Sequence, residues 1–173
     1  MSIITPSALE TKRLMIRQFT QEDFENVVSF MEGVTSTSFN RLFKIIIDSY
    51  QSQEIVISYA LILKSTGDFL GFCGLITLED NMPMECYYFL RSEYSGNGYA
   101  IESLRKIFEY AFSELKLDKI VVYIDQGNTR GWKVAERSGM KYMGNILRKD
   151  ATIKRKSMFF LIDKNDYYNQ FQI

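Results

Sequence analysis

The chain has 173 residues, with 21 basic and 21 acidic side chains mixed along its length and no net charge. That gives no electrostatic footprint for nucleic acid or a membrane surface, and no apolar run approaches the ~20 residues that span a bilayer. There is no histidine, which excludes Ser-His and Cys-His catalysis and most zinc sites. A general base must then be a carboxylate, a lysine, a tyrosine, the N-terminal amine or a water.

The length suits one domain, 1–173, with a real core. Met1 to Ala8 lacks the basic-then-apolar layout of a secretory signal and reads as a loose leader, so a cytoplasmic location is expected. Lys12 to Phe19 alternates as a first strand. Thr20 opens a helix with acids in its first turn, close to a capping box; its apolar set is Phe24, Val27, Val28 and Met31, and Gly33 stops it. Ser38 to Tyr50 carries Phe39, Leu42, Phe43, Ile46 and Ile47 on one side of a second helix. Ile55 to Leu63 and Phe69 to Leu78 form a hairpin about the turn Lys64-Ser65-Thr66-Gly67-Asp68. Gly71 and Gly74 inside the second of these strands mark a bulge or a close approach. Cys73 and Cys86 lie in apolar strands, where free cysteine behaves as a small hydrophobe.

Met84 to Phe112 is the organising stretch: a strand, a turn with two glycines, and a long helix. The strand is Met84-Glu85-Cys86-Tyr87-Tyr88-Phe89-Leu90. The turn is Ser95-Gly96-Asn97-Gly98-Tyr99-Ala100. The helix places Ala100, Ile101, Leu104, Ile107, Phe108, Ala111, Phe112 and Leu115 on one face. Glycines that bend sharply before a helix N-terminus present unpaired N–H groups at the positive end of a helix dipole, which suits a phosphate. Tyr99 and Ala100 stand where a P-loop needs Lys-Ser or Lys-Thr, and Ile101 replaces the third glycine of a dinucleotide fingerprint.

Lys119 to Asp125 then reads as a buried strand, so strand, helix and strand form a parallel crossover. Asn128 caps the next helix, which stops at Gly139. Lys141 to Arg148 and Lys154 to Ile162 are two last strands around a polar tip. The run Lys154, Arg155, Lys156 reads as a solvated hairpin, and Asp163 to Tyr168 as a terminal turn. The expected fold class is α/β (α+β): a mostly antiparallel sheet with a parallel pair at its middle and helices on its faces.

Two blocks carry a resemblance. Ser95-Gly96-Asn97-Gly98-Tyr99-Ala100 resembles the acyl-CoA signature Gln/Arg-x-x-Gly-x-Gly/Ala of the GNAT superfamily of N-acetyltransferases, with Ser95 departing at the first position. Glu85 to Leu90, then Arg91-Ser92-Glu93-Tyr94, then the turn, is similar to the ribosomal-protein alanine acetyltransferase subgroup. Gly127 to Gly131, followed by a helix ending at Ser138-Gly139-Met140, resembles that subgroup's second block. Leu9 to Phe19 looks like its opening strand.

The resemblance implies a sheet of about seven strands with a splayed parallel pair. It also implies acetyl-CoA as co-substrate, no metal, and transfer to a primary amine, either a protein N-terminus or a small molecule. A homodimer is left open. The diphosphate falls to the backbone N–H groups of Ser95, Gly96, Asn97, Gly98, Tyr99 and Ala100. The pantetheine arm pairs with the strand end at Phe89, Leu90 and Arg91, as an added strand would. Asn128 is either a cofactor contact, a helix cap, or both. Glu85 matches the acid that serves as base, or is a glutamate on a solvated face. Glu32 to Asn40 is either an acceptor loop or an ordinary helix connection. Gly131 and Ala135 stand where the family carries its serine or tyrosine acid; Tyr88, Tyr94, Tyr123 and Tyr142 are the substitutes, unranked. The alternative to an enzyme is an acyl-CoA-binding module that has lost catalysis.

Overall fold

The computed structural model describes residues 6–29, 36–51, 56–77, 82–150 and 153–171. It divides into two compact units, residues 1–76 with 87–106 and residues 77–86 with 107–173. Eight strands make a mixed sheet, mostly antiparallel, one strand more than expected.

In the first unit β1 (Ala8–Glu10), β2 (Leu14–Arg17), β3 (Val56–Leu63) and β4 (Phe69–Ile76) pair antiparallel in that order. β1 takes Ala8, the last residue of the stretch read as leader, with Leu9 and Glu10, so the opening strand that the resemblance runs from Leu9 to Phe19 is here two strands. A short 3-10 turn, Gln21–Asp23, leads into α1 (Phe24–Val28), and α2 runs Ser36–Ser49. Asp23 reaches back to accept the Thr20 N–H at 2.8 Å, the acid half of the expected capping box. Met31 and Gly33 lie outside the described residues, as does 32–35 of the proposed acceptor loop; from Ser36 that stretch is helix.

Periodicity becomes packing here. Phe19, Val27, Phe43, Ala60, Phe69 and Phe72 form one buried cluster, with Phe24, Ile46, Ile47 and Tyr87 against it. Each fully buried aromatic or aliphatic side chain contributes about 2–3 kcal/mol. The Tyr50 hydroxyl ties the cluster's edges together, accepting the Phe19 N–H at 3.1 Å and donating to the Ser58 carbonyl.

β5 (Met84–Leu90) crosses from the second unit to the first. In the second unit its start pairs parallel with β6 (Lys119–Asp125), registering Met84 with Ile120 and Glu85 with Val121. Two paired positions on strands of seven residues each fit a diverging pair. β8 (Ile153–Asp163) lies antiparallel to β6, and β7 (Lys141–Asp150) antiparallel to β8. α3 (Tyr99–Ser113), α4 (Thr129–Arg137) and α5 (Lys164–Phe171) complete the chain. The stretch read as a terminal turn is thus a helix of two turns. Its Tyr167 is buried with its ring 5.2 Å from Phe112. Among the described residues no helix is long and apolar enough to cross a membrane.

Candidate active site

The turn before α3 has the conformation its glycines suggest. Gly96 and Gly98 have φ of 84° and 80°, left-handed values that an L side chain resists. A Cβ on Gly96 would meet nothing within 4 Å, and one on Gly98 only the Arg13 guanidinium at 3.6 Å. Among the described residues nothing would obstruct a side chain at either position, so backbone conformation alone demands glycine here. The Ser95 N–H is spent on the Ser92 carbonyl at 3.1 Å. Among the described residues the N–H groups of Gly96, Asn97, Gly98, Tyr99 and Ala100 donate to no other protein group. The Asn97 side chain folds back onto the Tyr94 and Ser95 carbonyls at 3.2 and 3.4 Å, bracing the turn.

The turn is fastened from β2's entry. The Arg13 guanidinium donates to the Asn97 carbonyl at 3.0 Å and pairs with Glu102 at 2.6 Å. It lies 4.4 Å from the centre of the Tyr99 ring. Glu102 also accepts from the Thr11 hydroxyl at 2.6 Å and the Arg13 N–H at 3.0 Å. Burial pushes the Glu102 carboxyl up, but these donors outweigh it and hold the carboxyl below its ordinary value.

The strand end is selective about its edges. The Arg91 N–H donates to the Leu70 carbonyl at 2.8 Å, and the Phe89 carbonyl lies against Gly71 on β4. Strand alternation then points the Leu90 backbone groups the other way. Of Phe89, Leu90 and Arg91, only Leu90 turns its amide and carbonyl away from β4. The Phe89 ring leans on Phe72 at 4.9 Å and is half exposed. The Arg91 side chain enters a polar cavity of about 490 Å³ within the first unit, lined by Arg17, Asp23, Asn26, Asp68 and Tyr94 among others. There it donates to Asn26 at 3.1 Å. Arg17 grips Asp23 in a two-point pair at 2.6 and 3.0 Å in the same cavity.

In the second unit Glu85 is engaged. Both carboxylate oxygens accept from Arg148 on β7, at 3.0 and 2.7 Å, in the fork geometry that suits guanidinium to carboxylate. The Arg148 guanidinium lies 4.5 Å from the Tyr123 ring centre, and Tyr123 stacks on Phe159 at 5.1 Å. Burial, then the Glu85 charge, raise the Tyr123 hydroxyl above its ordinary value, against the pull of Arg148. Of the four substitute tyrosines, Tyr123 is thus one that feels the Glu85 charge. The Tyr142 hydroxyl donates to Asn145 at 2.9 Å, and Tyr94 lines the first unit's cavity.

Asn128 caps α4: its side-chain oxygen accepts the Gly131 N–H at 2.9 Å, and the residue is otherwise exposed. A Cβ at Gly131 would come within 2.6 Å of the Asn128 amide, so the tight cap and a side chain at 131 compete for one space. That is a physical reason for glycine where the family carries serine. Trp132 follows in the first turn, half buried, with Lys133 Nζ 5.7 Å from its ring. Sequence reasoning missed Arg13, Glu102 and Arg148. Each acts through a partner 63 to 89 residues away, beyond any local pattern.

The residues fit an acyl-CoA donor in chemistry: a run of unspent backbone N–H groups at a helix N-terminus for diphosphate, and a strand-edge amide at Leu90 for a peptide-like arm. Comparison with known proteins agrees. Residues 13–141 match the family described as the acetyltransferase (GNAT) domain. The chain is 38% identical over 99 residues to the uncharacterised protein YkkB of Bacillus subtilis (strain 168), covering 54% of this chain and 58% of YkkB. It is 34% identical over 73 residues to YdaF of the same organism, a candidate ribosomal N-acetyltransferase by name, covering 40% of each. The chain thus spans about half the length of these two relatives. The solved structure of a candidate ribosomal-protein-serine acetyltransferase from Vibrio cholerae superposes with a TM-score of 0.76 at 14% identity, covering 92% of this chain and 98% of that one, a likeness of fold. By the family match over most of its length, the chain belongs to the GNAT acetyltransferases.

Proposed function

We propose that this chain transfers an acetyl group from acetyl-CoA to a primary amine, with a protein N-terminus as the acceptor class, and that it does so as a single 1–173 domain in the cytoplasm. The observation that carries the reading is the run of unspent N–H groups from Gly96 to Ala100 before α3. In the proposal these hold the diphosphate, the Leu90 amide and carbonyl hold the arm, and Asn128 touches the arm while capping α4. Bound acetyl-CoA supplies an activated thioester. The protein's task is to orient that carbonyl and to receive the proton the amine gives up.

Glu85 takes that proton through water, with Arg148 holding its carboxylate in place. Both carboxylate oxygens are already hydrogen-bonded, which favours an acceptor that asks little of a base. An α-amine sits about one pKa unit above neutrality and an aliphatic amine about three, roughly 1.4 against 4 kcal/mol of deprotonation cost. The α-amine is the easier partner. The names of YdaF and of the Vibrio cholerae structure point to ribosomal proteins for those two proteins. The same acceptor class is proposed here.

The test is thiol release from acetyl-CoA against N-terminal peptides, polyamines and lysine-containing peptides, alongside binding of CoA. Release with N-terminal peptides is expected, and Glu85→Gln should lower it at neutral pH while CoA binds nearly as before. Release only with an aliphatic amine would overturn the acceptor class. CoA binding without release from any acceptor would favour the non-catalytic module over the enzyme.

A further inference from the structure

We infer that Arg13 makes the turn before α3 usable by an anion by cancelling the charge of Glu102. The inference rests on the acyl-CoA reading and adds a positioning residue to it. Two demands on this turn conflict. Glu102 is an acid in the first turn of α3, the turn whose N–H groups are to face a diphosphate. An acid there stabilises the helix dipole but repels a bound anion within a few ångströms. Its carboxylate stays ionised, because Thr11 and Arg13 supply three of its donors.

Arg13 answers the conflict geometrically. Its guanidinium lies between Glu102 and the turn: paired to Glu102 at 2.6 Å, donating to the Asn97 carbonyl at 3.0 Å, and laid on the Tyr99 ring. A guanidinium has five N–H donors in a fixed plane, so one group can serve an acid and a carbonyl at once. The pair is charge-neutral as a unit and leaves the dipole and the unspent N–H groups to act on the ligand. Because the Arg13 side chain is 41% exposed, the effect should be read at low ionic strength.

The experiment is titration of the full chain with CoA at low salt, for wild type, Arg13→Met and Arg13→Met with Glu102→Gln. Methionine keeps much of the apolar stem over Tyr99. Arg13→Met is expected to weaken CoA binding about tenfold, since Glu102 is left uncompensated beside the anion. Adding Glu102→Gln should restore most of that loss, although a contact has been removed. A double variant no better than Arg13→Met, or Arg13→Met within about twofold of wild type, overturns the inference. If Arg13→Met does not fold, Arg13→Lys carries the test: it keeps the charge, loses the fork, and should bind within about threefold of wild type. A tenfold loss with Arg13→Lys would also overturn it. Failure of the wild type itself to bind CoA would sink the acyl-CoA reading, and this inference with it.

Discussion

Gly71 and Gly96 are both glycines with positive φ, yet replacing each by alanine should fail for different reasons and by different amounts. On Gly71 a Cβ would lie 2.0 Å from the Phe89 carbonyl oxygen and 2.9 Å from its carbon. Both atoms are backbone, so no side chain can swing away. Relief needs β4 and β5 to part locally by about 1 Å. The Arg91 N–H to Leu70 carbonyl bond, 2.8 Å long, then stretches past the ~3.5 Å at which such a bond is lost. Overpacking costs about 1–3 kcal/mol, and the broken buried bond about 1 more. Gly71→Ala should therefore cost about 3 kcal/mol, lowering Tm by roughly 6–12 °C for a chain of this size. Gly96 has open space around its would-be Cβ, so Gly96→Ala incurs only the left-handed backbone penalty of about 1–2 kcal/mol. Its larger effect should fall on CoA affinity, because the backbone relieves itself by turning the N–H groups away. Thermal unfolding of both variants, with CoA titration, is the assay. If Gly71→Ala is no less stable than Gly96→Ala, the contact argument is wrong.

Three further outcomes are expected. Asp23 is nearly buried, and although burial pushes its carboxyl up, the Arg17 hydrogen bonds and the Thr20 N–H hold it below its ordinary value. Its contribution is therefore full above the unfolded pKa of about 3.9 and is lost as pH falls through the folded value. Asp23→Asn should cost about 2–3 kcal/mol near neutrality, with a shallower acid limb in urea unfolding followed against pH. Asn128→Ala should lose about 1 kcal/mol of cap and also weaken CoA binding, whereas Asn128→Ser keeps the cap and loses only the binding. Serine at 128 binding CoA as wild type does would leave Asn128 a cap alone. Tyr50→Phe leaves the Phe19 N–H and the Ser58 carbonyl without their shared hydroxyl and should cost about 1–3 kcal/mol in chemical denaturation.

Much of this architecture is legible because it is local. A continuous apolar run sets β6 at Lys119–Asp125, and an asparagine before a periodic stretch sets the start of α4. Paired glycines announce the left-handed turn at 96 and 98. Gly71 and Gly74 prove to be close approaches, since a Cβ on either would fall inside a neighbouring carbonyl, and the β3–β4 register also slips beside Gly71, between Leu61 and Ile62. β1 is too short, at three residues, to show a period, and it exists because β2 offers it an edge. α5 mixes polar residues with Tyr167 and Tyr168, and its helix becomes clear only once Tyr167 has Phe112 to pack on. The charged pairs are the least legible. Nothing near Glu85 in sequence announces Arg148, and nothing near Arg13 announces Glu102. Topology alone makes them neighbours, and it decides which acid is engaged and which arginine fastens the turn.

The cap at Asn128 has one more consequence, which is optical. The chain's one tryptophan, Trp132, sits in the first turn of the helix that this cap begins, half buried and beside a lysine. Indole emission shifts with polarity, and here no second indole dilutes it. The indole fluorescence of the protein, excited apart from its tyrosines, is therefore a local readout of the α4 N-terminus. Loosening of the Asn128 cap should redden it, and a ligand resting against Asn128 should change it without any added label.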